Sequence, residues 1–160
     1  MRLFRPALLA VVLLALTSSY ARADATLFLG ANTTPTNRPV VGGALGFGLL
    51  IVAFEFEYSS SSEDGKNGAP ALKVGSGNAL LQTPVAIAGF QPYATAGFGV
   101  FRERLGASTE TNAAANLGGG VKIALAGPIR LRLDYRVFKL GADARYSPSH
   151  RLYAGLNLHF

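Results

Sequence analysis

The last eight residues constrain this chain most: Tyr153-Ala154-Gly155-Leu156-Asn157-Leu158-His159-Phe160. Phe160, Leu158, Leu156 and Ala154 fall on one face of an extended strand. His159, Asn157, Gly155 and Tyr153 fall on the other. The period is two, the repeat of a strand with a single apolar face. A strand that ends on an exposed aromatic suits a surface in contact with hydrocarbon, with the ring at the membrane–water boundary. A terminal strand of a water-soluble β-sandwich alternates in the same way, so the octapeptide by itself leaves both environments open.

The N-terminus narrows the choice. Residues 1–23 have the make-up of a secretory signal peptide. Arg2 and Arg5 give a basic start, residues 7–16 an apolar run, and Ala21-Arg22-Ala23 a small-any-small cleavage site. The apolar run is too short for a spanning helix, which needs roughly 20 residues. Cleavage after Ala23 leaves residues 24–160, a mature chain of 137 residues and one domain. The net charge of +6 falls to +3, because Arg2, Arg5 and Arg22 leave and no acid does. The remaining charges are dispersed among apolar residues and loops, which gives no basic patch for nucleic acid. The absence of cysteine excludes disulfides, thiol catalysis and a lipid-carrying cysteine. The absence of tryptophan speaks against a lipocalin, a family that usually carries Gly-any-Trp near its first strand. Two separated histidines give no metal cluster.

A chain that is 49% apolar, with 19 glycines and no spanning helix in its mature part, has the composition of a small barrel. Its outside is apolar, and glycines relieve crowding inside. Residues 25–32 form a first predicted strand. Residues 40–58 are apolar almost throughout, but Gly42, Gly43, Gly46 and Gly48 weaken a helix, and Glu55 and Glu57 are costly in lipid. Two strands with a turn near residues 49–51 fit better. Val52, Phe54, Phe56 and Tyr58 then face out, and Ala53, Glu55, Glu57 and Ser59 face in. A hydrophilic loop over residues 59–70 precedes a fourth strand over 72–83, whose alternation is poor around residues 75–78. A fifth strand spans 91–104, where Arg102 and Arg104 share the face of Ala94, Ala96, Phe98 and Val100. That parity calls for a bulge or for a strand end that rises above the membrane. Residues 105–114 form a polar loop and 115–125 a sixth strand. The seventh, over 129–139, alternates most clearly, with Ile129, Leu131, Leu133, Tyr135 and Val137 opposite Arg130, Arg132, Asp134, Arg136 and Phe138. Residues 141–150 are loop before the terminal strand.

About eight strands, joined alternately by long polar loops and short turns, define an all-β, eight-stranded antiparallel transmembrane up-and-down β-barrel. An even strand count puts both termini on one side, the periplasm. The spacing polar, any, Gly, any, any, apolar, any, aromatic over Tyr153, Gly155, Leu158 and Phe160 resembles the C-terminal assembly signal of outer-membrane barrels. Residues 91–100 (QPYATAGFGV) and Gly118-Gly-Gly-Val-Lys with Arg132-Leu-Asp-Tyr-Arg136 resemble the porin-like outer-membrane barrel family. The mature chain as a whole is similar to small barrels of the OmpA/OmpX type. The resemblance implies the outer membrane of a Gram-negative bacterium. It also implies contact with outer-membrane lipid, barrel-assembly machinery and periplasmic chaperones, and a monomer without cofactor.

Chemistry is sparse. Glu55, Glu57, Lys122, Arg130, Arg132, Asp134 and Arg136 share the inward parity and form a candidate lumen charge network. A packed polar plug is one outcome, and a narrow pore gated by exchanging ion pairs is the other. A lipid-A deacylase of this size uses a His-any-Ser pair, which neither His150 nor His159 begins. A palmitoyl-transferase would need His, Ser and Asp on its loops, and Ser147, Ser149, His150 and Asp143 supply those types. They are also ordinary loop residues, and no enzyme is predicted. The expected role is structural or surface-interacting, through loops on a rigid scaffold. The alternative is a narrow pore for ions or small solutes.

Overall fold

Eight alternating runs become eight strands in the computed structural model, which describes residues 21–49 and 51–160. They are β1 (Ala21–Asn32), β2 (Arg38–Leu49), β3 (Val52–Ser61), β4 (Ala71–Gln82), β5 (Phe90–Leu105), β6 (Ser108–Ala126), β7 (Ile129–Leu140) and β8 (Ser149–His159). Each pairs antiparallel with its sequence neighbours, and β8 pairs back onto β1 to close the barrel. Closure leaves no unpaired strand edge, a condition for backbone that crosses hydrocarbon. No helix among the described residues is long and apolar enough to cross a membrane.

The termini share one end. There Ala23 N donates to Phe160 O at 2.7 Å, and Phe160 N donates to Ala23 O at 3.0 Å. The β2–β3, β4–β5 and β6–β7 connections lie at this turn end. Connections 33–37, 62–70, 106–107 and 141–148 lie at the opposite, loop end. The expected signal peptide lies mostly outside the described residues. Its last residues, Ala21 to Ala23, open β1 opposite Leu49 to Phe47. The expected cleavage after Ala23 would leave nine residues of β1, enough for a tilted crossing.

The outer wall carries Leu27, Leu45, Phe56, Phe98, Leu117 and Leu156, all exposed. Exposure of this much large apolar surface fits hydrocarbon and not water. Inside, side chains fill the space, as eight strands allow. Phe28 stacks on Tyr153 with ring centroids 4.0 Å apart. Phe28 also lies across Gly155, where a Cβ would sit 2.7 Å from Leu27 O and 2.8 Å from Phe28 Cβ. Glycine is the residue that admits this close approach.

The structure corrects the sequence expectation in several places. β1 starts four residues earlier, at Ala21, and β8 starts at Ser149. β4 alternates without a break, with Ser76 and Asn78 buried and Gly75 and Gly77 outward. β5 has no bulge. Its ladders with β4 and β6 keep one register to Arg104, so the strand runs on past the apolar band. The largest correction concerns residues 108–114, expected as polar loop, which extend β6 to 19 residues. Gly106, at φ 59°, closes a two-residue turn that pairs Leu105 with Ser108. Cross-strand pairing with β5 makes this polar stretch a strand. The irregularity falls elsewhere, between Ala124 and Ala126 of β6 against β7.

Candidate functional site

Strand parity delivers charges to the barrel axis from three strands. β3 contributes Glu55 and Glu57, β7 contributes Arg132, Asp134 and Arg136, and β8 contributes Arg151. All six are buried, Arg132 and Arg136 with 0% exposure. Three guanidinium groups face three carboxylates, so the cluster is neutral as a unit. Arg132 makes a two-pronged contact to Glu55 and lies 3.2 Å from Asp134 Oδ2. Arg136 reaches Glu55 Oε1 at 2.9 Å and Asp134 Oδ1 at 3.0 Å. Its Nη1 lies 3.2 Å from Glu57 Oε2, within ion-pair range but off hydrogen-bond alignment. Arg151 pairs with Glu57 and donates to Ser59 Oγ at 2.8 Å. β5 supplies Tyr93, whose hydroxyl accepts from Arg132 Nε at 2.7 Å and donates to Asp134 at 2.5 Å.

Aromatic rings cover what the carboxylates leave free. Arg132 Cζ lies 4.9 Å from the Tyr93 centroid and 5.7 Å from that of Tyr153. Arg151 lies 4.6 Å from Phe138 and 5.2 Å from Phe28. Such contacts favour weakly hydrated guanidinium over ammonium, which accounts for three arginines at this level. Toward the loop end, Leu72, Val74, Phe101, Ala114, Phe138 and Leu140 pack into an apolar cluster on the β4–β7 side of the lumen, while β1 to β3 bury polar Asn32, Arg38, Ser59 and Ser61 at this end.

The seven expected network residues divide into two groups. Glu55, Glu57, Arg132, Asp134 and Arg136 meet in the central cluster. Lys122 and Arg130 lie nearer the turn end. Lys122 pairs with Asp24, whose Oδ1 also lies 3.2 Å from His159 Nδ1 and accepts from it in the tautomer that carries the proton there. Arg130 donates to Gln91 Oε1 at 2.8 Å. Arg151, Tyr93 and Asp24 were not among the expected residues. Arg151 shares the parity of Tyr153 two residues later, a signal already present in the terminal alternation.

The assembly-signal residues are spread over both faces. Tyr153 and Gly155 are inside, and Leu158 and Phe160 are outside, Phe160 at 73% exposure. The loop residues of an acyltransfer reading are engaged elsewhere or covered. Ser147 Oγ bonds the Leu140 backbone at 3.1 and 3.2 Å, Asp143 accepts from Asn112 at 2.7 Å, and His150 Nδ1 contacts Tyr135 Oη at 2.7 Å. Ser149 is buried beneath the loop end. No cluster of three metal-ligand side chains occurs among the described residues. In loop 62–70, Asp64 accepts from Asn67 Nδ2 at 2.7 Å, and this bond holds its carboxyl below the usual carboxylate range.

Solved structures share this architecture. The N-terminal β-barrel domain of Pseudomonas aeruginosa OprF superposes with a TM-score of 0.67 at 16% identity, over 87% of this chain and 97% of that one. Neisserial surface protein A gives 0.66 at 18% identity, over 88% and 96%. The outer-membrane enzyme PagL gives 0.50 at 13% identity, over 86% and 98%. At these identities the likeness is one of fold. Among curated proteins none matches the chain in sequence. The model of the outer membrane protein beta-barrel domain matches residues 7–160. With a closed eight-stranded barrel, an apolar outer wall and a charged interior, the chain belongs to this family of bacterial outer-membrane barrels.

Proposed function

We propose that the protein is a sealed barrel that stabilises the outer membrane and acts through its loop end, as a structural or surface-interaction protein. One observation carries this reading: the middle of the lumen is occupied by a neutral six-residue cluster of buried ion pairs. Conduction through it would require breaking buried ion pairs, at several kcal/mol each. What the barrel holds outward is the 62–70 loop, the β5–β6 hairpin and the 141–148 loop. These elements are tied to one another. Gly106 N donates to Glu63 Oε1 at 3.1 Å, and Arg145 N donates to Glu103 Oε1 at 3.2 Å. In this reading the loops face the cell exterior and both termini face the periplasm. Tyr153, Gly155, Leu158 and Phe160 present the assembly signal to the barrel-assembly machinery, and the folded chain is monomeric in outer-membrane lipid.

The test is to shorten residues 62–70 and the 106–107 hairpin tip to minimal turns. The barrel should still assemble, while resistance of cells to envelope stress, or their binding to surfaces, should fall. Unchanged envelope and surface phenotypes beside a correctly assembled barrel would contradict the proposal.

A further inference from the structure

Three cations lie where an ordinary barrel wall has none to spare. Lys73 on β4 and Arg102 on β5 are direct cross-strand partners. Arg104 follows two residues on at the same parity, opposite Ala71. All three point outward and are exposed. Like charges directly opposite one another destabilise a sheet unless something compensates them. None of the three forms an ion pair among the described residues. The acids at this end are turned elsewhere: Glu110 stands opposite Glu103, Asp64 bonds Asn67 and Asp143 bonds Asn112. Glu103 shares the parity of buried Phe101 and bonds Arg145, and Glu63 accepts from Gly106 N.

Directly below the cations, toward the membrane, the wall is grooved. Gly75 and Gly77 leave open space on β4, where an added Cβ would meet nothing within 4 Å. Register supplies the sides: Tyr58 and Val100 flank Gly75, and Phe56 and Phe98 flank Gly77. Ala79 continues the floor beside Phe54 and Ala96. The groove runs over four residues, roughly 13 Å at the rise of a strand. It is apolar, aromatic-walled and headed by three unpaired cations. One acyl chain lies in such a groove while an anionic headgroup meets the cations.

The geometry points to a lipid site on the outer wall: a phosphorylated glycolipid of the outer leaflet, with its phosphates on Lys73, Arg102 and Arg104 and an acyl chain along Gly75, Gly77 and Ala79. The choice of leaflet rests on the loops facing the cell exterior, as proposed above. The site itself does not depend on insertion direction. Each surface cation contributes roughly a fivefold preference for an anionic lipid. Three acting with full additivity would select it by on the order of a hundredfold, so at least about tenfold is expected after losses to non-additivity.

The experiment uses the full chain in phosphatidylcholine vesicles doped with spin-labelled phosphatidate or spin-labelled phosphatidylcholine. The motionally restricted fraction of each label measures its retention at the protein. The wild type should prefer phosphatidate by at least about tenfold, and unlabelled bisphosphorylated lipid A should displace it. The triple variant Lys73→Gln/Arg102→Gln/Arg104→Gln should retain both labels equally. Gly77→Leu, which fills open space, should cut retention of both. A heat-shifted gel band for each variant confirms the barrel. A preference unchanged in the triple variant overturns the site, and failure of lipid A to displace phosphatidate overturns the assigned occupant. Because vesicles report the site whichever way the barrel inserts, its failure is distinct from failure of the loop orientation. Protease access to residues 62–70 on intact cells tests that orientation separately.

Discussion

Arg132→Leu is the most informative perturbation of the lumen. Arg132 has no exposure and contacts Glu55, Asp134 and Tyr93. Its loss leaves two guanidinium groups facing three buried carboxylates. Breaking a buried pair by removing one partner costs about 3–5 kcal/mol. Here Arg136 still reaches both Glu55 and Asp134, which brings the expected cost to roughly 2–4 kcal/mol. The double variant Arg132→Leu/Glu55→Leu restores neutrality and puts apolar volume in place of the pair. It should be more stable than the single variant, because uniform apolar replacement of a buried pair is often neutral. Lys66→Ala, in the exposed turn of the 62–70 loop, is the control and should stay within about 0.5 kcal/mol of wild type. Urea unfolding of the folded barrel in micelles, followed by far-ultraviolet circular dichroism and the gel shift, reads all four chains. Equal midpoints for Arg132→Leu and Lys66→Ala would refute the reasoning. So would a double variant no more stable than Arg132→Leu alone.

Three further outcomes follow from the geometry. Gly155→Val forces a side chain into Leu27 O and Phe28 and should cost about 1–3 kcal/mol in the same urea experiment. Deleting Phe160, whose ring is exposed, should leave refolding in micelles nearly unchanged but weaken the heat-shifted band in outer-membrane fractions; equal loss in both assays would mean that Phe160 is needed for stability and not for assembly. Asp64 has a carboxyl held below its ordinary value, so its contribution to the loop is present above the unfolded value of about 4 and is lost as pH falls through the lower folded value. Proteolysis within residues 62–70 should therefore be flat from neutral pH to about pH 5 and rise only in stronger acid, and Asp64→Ala should show the faster cleavage across the neutral range.

Alternation with strong polarity contrast is legible in the residues alone. β7 alternates Leu and Tyr with Arg and Asp, so the inward position of Arg132, Asp134 and Arg136 follows from period two. The outward position of Phe54 and Phe56 follows in the same way. Where contrast vanishes, the sequence carries less. Residues 108–114 are small and polar on both faces, and their strand is set by pairing with β5 and by the turn at Gly106, neither of which leaves a periodic trace. Gly75 to Asn78 blur because glycine on the outer face does not register as apolar, although the wall there is a groove. The division of the charge network was equally hidden. Parity assigns Lys122 to the lumen but not to a level along it, and the level decides that it meets Asp24 and not Glu55.

Single-channel recording tests the sealed lumen most directly. The purified full chain, confirmed as folded by its heat-shifted band, is added to a planar bilayer at high protein load in molar potassium chloride. The account predicts a quiet membrane for wild type, and for Phe101→Ala as well, because the buried ion cluster stays closed when one ring of the apolar cluster is cut away. Regular, voltage-independent steps from the wild type would contradict it and make the barrel a pore.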